Sequence, residues 1–273
     1  MIDIGEAQVL GKQMAKELIG KKVAQVSFGN SPHRFAFFSA TEEVYEEWLL
    51  NQTVQEINVY GNFVVLALHN CALSFSEGLN FYWLAPTQKL PKKYQFALTF
   101  TDDWVLACSV SMYGAMMLQT AELVGNEYFQ VAQEKPNPLS TEFNEDYFAE
   151  LRKSAKPTLS LKAFMGTEQR IPGLGNGSLH DIFFTAQLLP KRKLATLNDA
   201  EFADLFTGMK TVLNAIVAKG GRDTEKDFYG QKGGYQTILS SKTWKSPCPR
   251  CGHQVSKESY LGGTIYYCSG CQK

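Results

Sequence analysis

The chain has 273 residues, 44% of them apolar, which is enough for two domains with proper cores. No window approaches the roughly 18 consecutive apolar residues of a membrane span, and the opening "MIDIGEAQVLGKQMAKELIGKKV" lacks an apolar secretory core, so a mature cytoplasmic protein is expected. The formal charge of zero hides −9 over residues 1–150 (9 basic, 18 acidic) and +9 over residues 151–273 (18 basic, 9 acidic), which suggests either that the second half meets a polyanion or that two surfaces are separately solvated.

A first helix is expected where Val9, Leu10, Met14, Leu18 and Ile19 share one face. From about Val23 to Leu118 short alternating stretches follow: "KKVAQVSF", "RFAFFSA", "TVQEINVYGNFVVLAL" and "YQFALTFTDDWVLACSVSMYG". Their β-branched and aromatic enrichment, with Gly, Pro and Asn as punctuation, predicts a sandwich of strands. Cys71 and Cys108 fall in these apolar runs and read as core thiols. The stretch "AQEKPNPLSTEF" breaks the pattern as a linker. Beyond it the period turns helical, in "TEFNEDYFAELRKS", "LSLKAFMGT", "GNGSLHDIFFTAQL" and "LNDAEFADLFTGMKTVLNAIVAKGG". The last of these opens on Asn198 as an N-cap and stops at Gly220-Gly221. The expected α+β organisation is a helix plus β-sandwich domain over 1–131, a linker over 132–140, a helical domain over 141–243 and a cysteine module over 244–273.

That module holds Cys248-x-x-Cys251, 16 intervening residues, and Cys268-x-x-Cys271. Two such knuckles fit a zinc ribbon, in which four thiolates close a tetrahedral Zn²⁺ site, one per chain, with no open position. The site is then structural, the metal standing in for a core that so short a module cannot build. His253 could compete as a ligand, but four cysteines already fill the shell. The intervening "GHQVSKESYLGGTIYY" reads as a hairpin turning at Gly262-Gly263. Upstream, "RIPGLGNGSLHDIFF" is a glycine-rich turn opening a helix, and its backbone N–H groups would suit a phosphate. Basic Lys191, Arg192 and Lys193 follow.

In "PLSTEF", "IPGLGN" and the terminal "CPRCG…YYCSGCQ" the chain resembles the Fpg/Nei family of DNA base-excision-repair proteins (formamidopyrimidine-DNA glycosylase and endonuclease VIII), over almost its whole length. The resemblance implies a β-domain, a helix–two-turn–helix (H2TH) domain and a zinc-finger hairpin. It also implies a monomer that holds duplex DNA, damaged or abasic, in a cleft between two domains and flips out the damaged base. Asn176 and Lys162 fall on family phosphate-binding positions, in keeping with the basic second half.

The resemblance fails at the chemistry. Family members open Met-Pro-Glu-Leu-Pro-Glu; the proline amine attacks the sugar C1′ to form a Schiff base, and the neighbouring Glu is the acid/base. This chain opens Met1-Ile2-Asp3-Ile4-Gly5-Glu6, so the proline is Ile2, the Glu is Asp3, and Glu6 alone remains. Methionine is normally kept before isoleucine, which would displace the amine to Met1. The family's catalytic lysine corresponds to Asn62 in "YGNFVV". Ser76 stands where a wedge Met often lies, Met112-Tyr113 replaces an Arg-Phe pair, and the arginine expected near Gly263 is missing. The expected function is a lesion- or abasic-site-binding protein with glycosylase/AP lyase chemistry lost or weakened. The alternative is an active divergent glycosylase/AP lyase with the Met1 amine, Asp3 and Glu6 in adapted roles. A zinc-ribbon protein–protein module would leave the basic half unexplained.

Overall fold

The computed structural model describes residues 1–123 and 125–273. Helix α1 (Ile4–Leu18) is capped by Asp3, and its apolar side divides along its length. Leu10, Met14 and Leu18 enter the core of a strand lobe, whereas Ile4 belongs to the core of a helical lobe. One helix therefore serves both cores. Ile19, expected on the apolar face, is instead 48% exposed, because the helix ends at Leu18 and Ile19 turns into extended backbone.

Strands β1 (Val23–Phe28), β2 (Ala36–Phe37), β3 (Glu56–Tyr60), β4 (Phe63–Ala67), β5 (Ala72–Leu84), β6 (Phe96–Phe100) and β7 (Val105–Gln119) make up the strand lobe. They run in the order β1-β6-β7-β5-β4-β3, with β2 parallel to β7. The long strands β5 and β7 pair along their length, with a register break between Glu77 and Leu79. β6 joins β7 on one side of that break and β4 joins β5 on the other. The path thus folds into two layers around one core, the expected sandwich, and the bulge supplies the bend.

Helix α2 (Glu42–Leu49) lies in a segment that the strand pattern did not single out. Its Tyr45 is fully buried; the hydroxyl donates to the Met116 carbonyl at 2.6 Å and accepts the Leu118 amide at 3.0 Å. Helix α3 (Glu127–Glu134), capped by Asn126, leads to the proline-rich stretch.

The helical lobe contains α4 (Glu145–Ser154), α5 (Leu161–Gly166), α6 (Asn176–Thr185) and α7 (Asp199–Ala218). α7 opens on a capping box between Asn198 and Glu201, as the Asn198 signal predicts. Two turns join α5 to α6, one with left-handed Glu168 and Gln169, the other with Gly173 at φ 79°. The chain closes on a hairpin of β8 (Ser256–Tyr260) and β9 (Gly263–Tyr267). Its turn is Leu261-Gly262, both left-handed, one residue earlier than expected; Gly263 already pairs with Tyr260. Among the described residues no helix is long and apolar enough to cross a membrane.

Candidate functional site

The two lobes meet where α1 begins. The Asp3 carboxylate caps its own helix by accepting the Ile4 amide at 2.8 Å, and it also accepts the amides of Gly175 at 2.9 Å and Ser178 at 3.3 Å. Two helix N-termini, α1 and α6, therefore share one anion, which both macrodipoles favour. This corrects the sequence reading of the glycine-rich turn: the anion that meets these N–H groups of α6 is the protein's own Asp3.

One turn along α1, Glu6 accepts from the Arg222 amide at 3.0 Å, from Nε at 2.9 Å and from Nη2 at 2.8 Å. Arg222 Nη2 lies 3.8 Å from Asp3 Oδ2 and also donates to the Met1 carbonyl at 3.3 Å. Asp3, Glu6 and Arg222 are 2%, 4% and 4% exposed. Close approach requires small neighbours: a Cβ at Gly177 would stand 1.7 Å from Arg222 Nη1. Asp3 and Glu6, both candidates for acid/base work, are thus tied into a buried charge cluster and not presented to an open cleft. The Met1 amine, the third candidate, pairs with Glu225.

Asn62 occupies the two-residue turn between β3 and β4, which packs against the turn leading into α6. Gly173 permits that contact, since a Cβ there would lie 2.2 Å from the Asn62 amide nitrogen. Asn62 Nδ2 donates to Glu77 Oε1 at 3.1 Å. Burial pushes the Glu77 carboxyl above its usual range. Position 62 thus holds a neutral amide engaged by an acid. Ser76, considered as a wedge position, is buried within the strand lobe and cannot project, whereas Met112 and Tyr113 are open to solvent.

Lys162 and Asn176 do converge, although far apart in sequence. Lys162 Nζ donates to the Tyr260 carbonyl at 2.6 Å, and Asn176 Nδ2 donates to the Thr264 carbonyl at 2.7 Å. His180 adds an Nε2 contact to the same Thr264 carbonyl at 3.1 Å; burial draws its pKa down to about 4, which keeps the ring neutral and leaves Nε2–H to donate. Three side chains from α5 and α6 thus hold the tip of the finger hairpin. Lys162 has no carboxylate partner among the described residues, and burial lowers its pKa. Each amine or amide has donors left over, so the corner can receive an anionic oxygen. Sequence reading found Lys162 and Asn176 but not Arg222, His180, Glu77 or Glu225.

The sulfurs of Cys248, Cys251, Cys268 and Cys271 lie within 4.8 Å of one another, with Cys248–Cys271 at 3.7 Å and Cys251–Cys268 at 3.4 Å. A tetrahedral shell with metal–sulfur bonds of about 2.3 Å has edges of about 3.8 Å, so the four thiols fit a metal. His253 stands outside this set, packed against Gly270. Cys71 and Cys108 sit elsewhere, packed with the strand core.

No family model matches the chain. It is similar to formamidopyrimidine-DNA glycosylase of Streptococcus pneumoniae, 26% identical over 284 residues that cover 100% of this chain and 99% of that protein. The Listeria monocytogenes glycosylase is 27% identical over 267 residues, 94% of this chain and 95% of that one. In fold it is similar to Lactococcus lactis Fpg solved in complex with abasic-site DNA, with TM-score 0.84 at 20% identity over 99% of both chains. It is likewise similar to Fpg from Thermus thermophilus, with TM-score 0.80 at 22% identity over 99% of this chain and 98% of that one.

Glu6→Ala would leave buried Arg222 with only the longer Asp3 contact at 3.8 Å and the Met1 carbonyl, and a loss of up to about 3 kcal/mol is expected in chemical denaturation. Cys268→Ser is expected to release bound metal and loosen the tail, read by elemental analysis and by proteolysis of residues 244–273.

Proposed function

We propose that this chain, a divergent member of the Fpg/Nei family, binds damaged or abasic duplex DNA between its strand and helical lobes, with glycosylase/AP lyase chemistry lost or weakened. The carrying observation is a contrast within one molecule. Lys162 and Asn176 meet at the tip of the finger hairpin with donors to spare, while Asp3 and Glu6 are held in buried contacts with α6 and Arg222. These contacts support a phosphate grip at the hairpin tip and a structural use of the acid/base pair.

In this reading the basic second half supplies the electrostatic attraction, and Lys162 and Asn176 fix the phosphate register without reading sequence. The Cys248, Cys251, Cys268 and Cys271 cluster holds a structural Zn²⁺, which supplies no chemistry and keeps the hairpin folded. The full-length likeness to glycosylases, one of them solved on abasic DNA, supports DNA as the partner. The weakened chemistry rests on residues of this chain. A nucleophile must come within bonding reach of C1′, and misplacement by even about 1 Å can reduce rate about 100-fold. Asn62 can supply neither the charge nor the proton of the family's lysine, and its amide is bound to Glu77. The alternative, an active glycosylase, would need the Met1 amine to leave Glu225 and Asp3 to leave the α6 amides.

DNA affinity should fall steeply with salt, with a logarithmic slope of about −0.9 per phosphate neutralised. The double variant Lys162→Ala, Asn176→Ala should bind duplexes of any sequence more weakly by a similar factor and show a shallower slope in fluorescence-anisotropy titrations. Parent-like binding by that variant, or affinity indifferent to salt, would remove the cleft from the account.

A further inference from the structure

Large apolar side chains are exposed together at one rim of the strand lobe. Phe35 precedes β2 and Phe37 lies on it, 46% and 48% exposed, while Met112 and Tyr113 on β7 are 63% and 38% exposed. β2 runs parallel to β7, with Ala36 beside Gly114 and Phe37 beside Ala115, and the Gly114 amide donates to the Phe35 carbonyl at 2.9 Å. Side chains alternate across a strand. Ala36 packs on the strand core, so Phe35 and Phe37 stand on the opposite, solvent-facing side. Tyr113 lies next to Phe35 in this register, and its hydroxyl reaches Met1 Sδ at 3.6 Å. The strip therefore runs from Phe37 through Phe35 and Tyr113 to the start of α1, where the two lobes meet.

A contiguous exposed apolar patch of this kind marks a binding surface. Its charge narrows the occupant. Arg34 is the only arginine in residues 1–150, the half with nine excess acids, and its guanidinium carbon lies 5.4 Å from the Phe35 ring centroid. The His33 ring stands edge-on to the same phenyl at 6.3 Å. Rings presented with a planar cation are how proteins hold unpaired bases: the base stacks on the ring or the guanidinium, and the cation meets the linking phosphates. The arginine favours a ligand that carries anionic groups beside its flat apolar faces.

We propose that Phe35 and Phe37, with Arg34, form a stacking platform for unpaired nucleobases beside Tyr113, so that the protein prefers DNA that is locally opened. The inference rests on the DNA-binding reading for its position beside the cleft and adds a ligand class to it. The experiment compares two probes on the full chain: a fully paired duplex carrying one abasic site, and the same duplex with a central bubble of unpaired thymines. The parent should bind the bubble about tenfold tighter or more. Phe35→Ala/Phe37→Ala should abolish that preference while leaving affinity for the paired abasic duplex unchanged. Phe35→Leu/Phe37→Leu, which keeps apolar area but removes the rings, should lose it as well. Retention of the preference by the Leu pair would make the patch a hydrophobic docking face and overturn the proposal, as would a parent that binds both probes equally. A parent that binds neither probe would instead overturn the DNA-binding reading itself.

Discussion

The fold depends on one buried ionic knot, in which two carboxylates from the first turns of α1 are held by Arg222 and by the N-terminus of α6. Without it the strand core and the helical core would be joined by apolar contacts along α1 and by the packing of the β3–β4 turn against Pro172 and Gly173. A buried pair gains little over a hydrophobic substitute, but removing one partner leaves an uncompensated charge at a cost of several kcal/mol. Such a knot suits registry between two lobes. Asp3 and Glu6 are used in full: each is almost completely buried, and their oxygens accept from Ile4, Gly175, Ser178 and Arg222.

The same economy governs the finger. A hairpin of two five-residue strands cannot build a core of its own. The cysteine cluster fixes its base, and Lys162, Asn176 and His180 fix its tip from α5 and α6. Any anion received at that corner would be felt by both elements at once, linking phosphate contact to finger position.

Much of this was legible in the sequence because it is carried by local pattern. The C-x-x-C pairs, the Asn198 capping signal and the alternating strands each declare themselves within a few residues. Helix α2 was equally local, with Val44, Tyr45, Trp48 and Leu49 at helical spacing, but it sits among strands and the alternation around it masked it. What pattern does not carry is partnership across the chain. Arg222 follows a helix-stop glycine pair and looks like a loop residue; nothing local says that it reaches Glu6, 216 positions away. Similarly, the IPGLGN turn signals free helix-terminal amides, and only the fold reveals that Asp3, 172 positions earlier, already accepts from Gly175. Family resemblance supplied Lys162 and Asn176, but their convergence on the hairpin tip is a property of the packed molecule.

The central claim is that binding and chemistry have come apart, and one divided sample addresses it. Protein and a duplex with a single abasic site are mixed, with half assayed for complex formation and half treated with borohydride to trap any Schiff base. The account predicts a stable complex with little or no covalent adduct. A strong covalent adduct formed by the unmodified protein, and lost when its N-terminal amine is blocked, would show that the amine of Met1 performs the chemistry and would contradict the account.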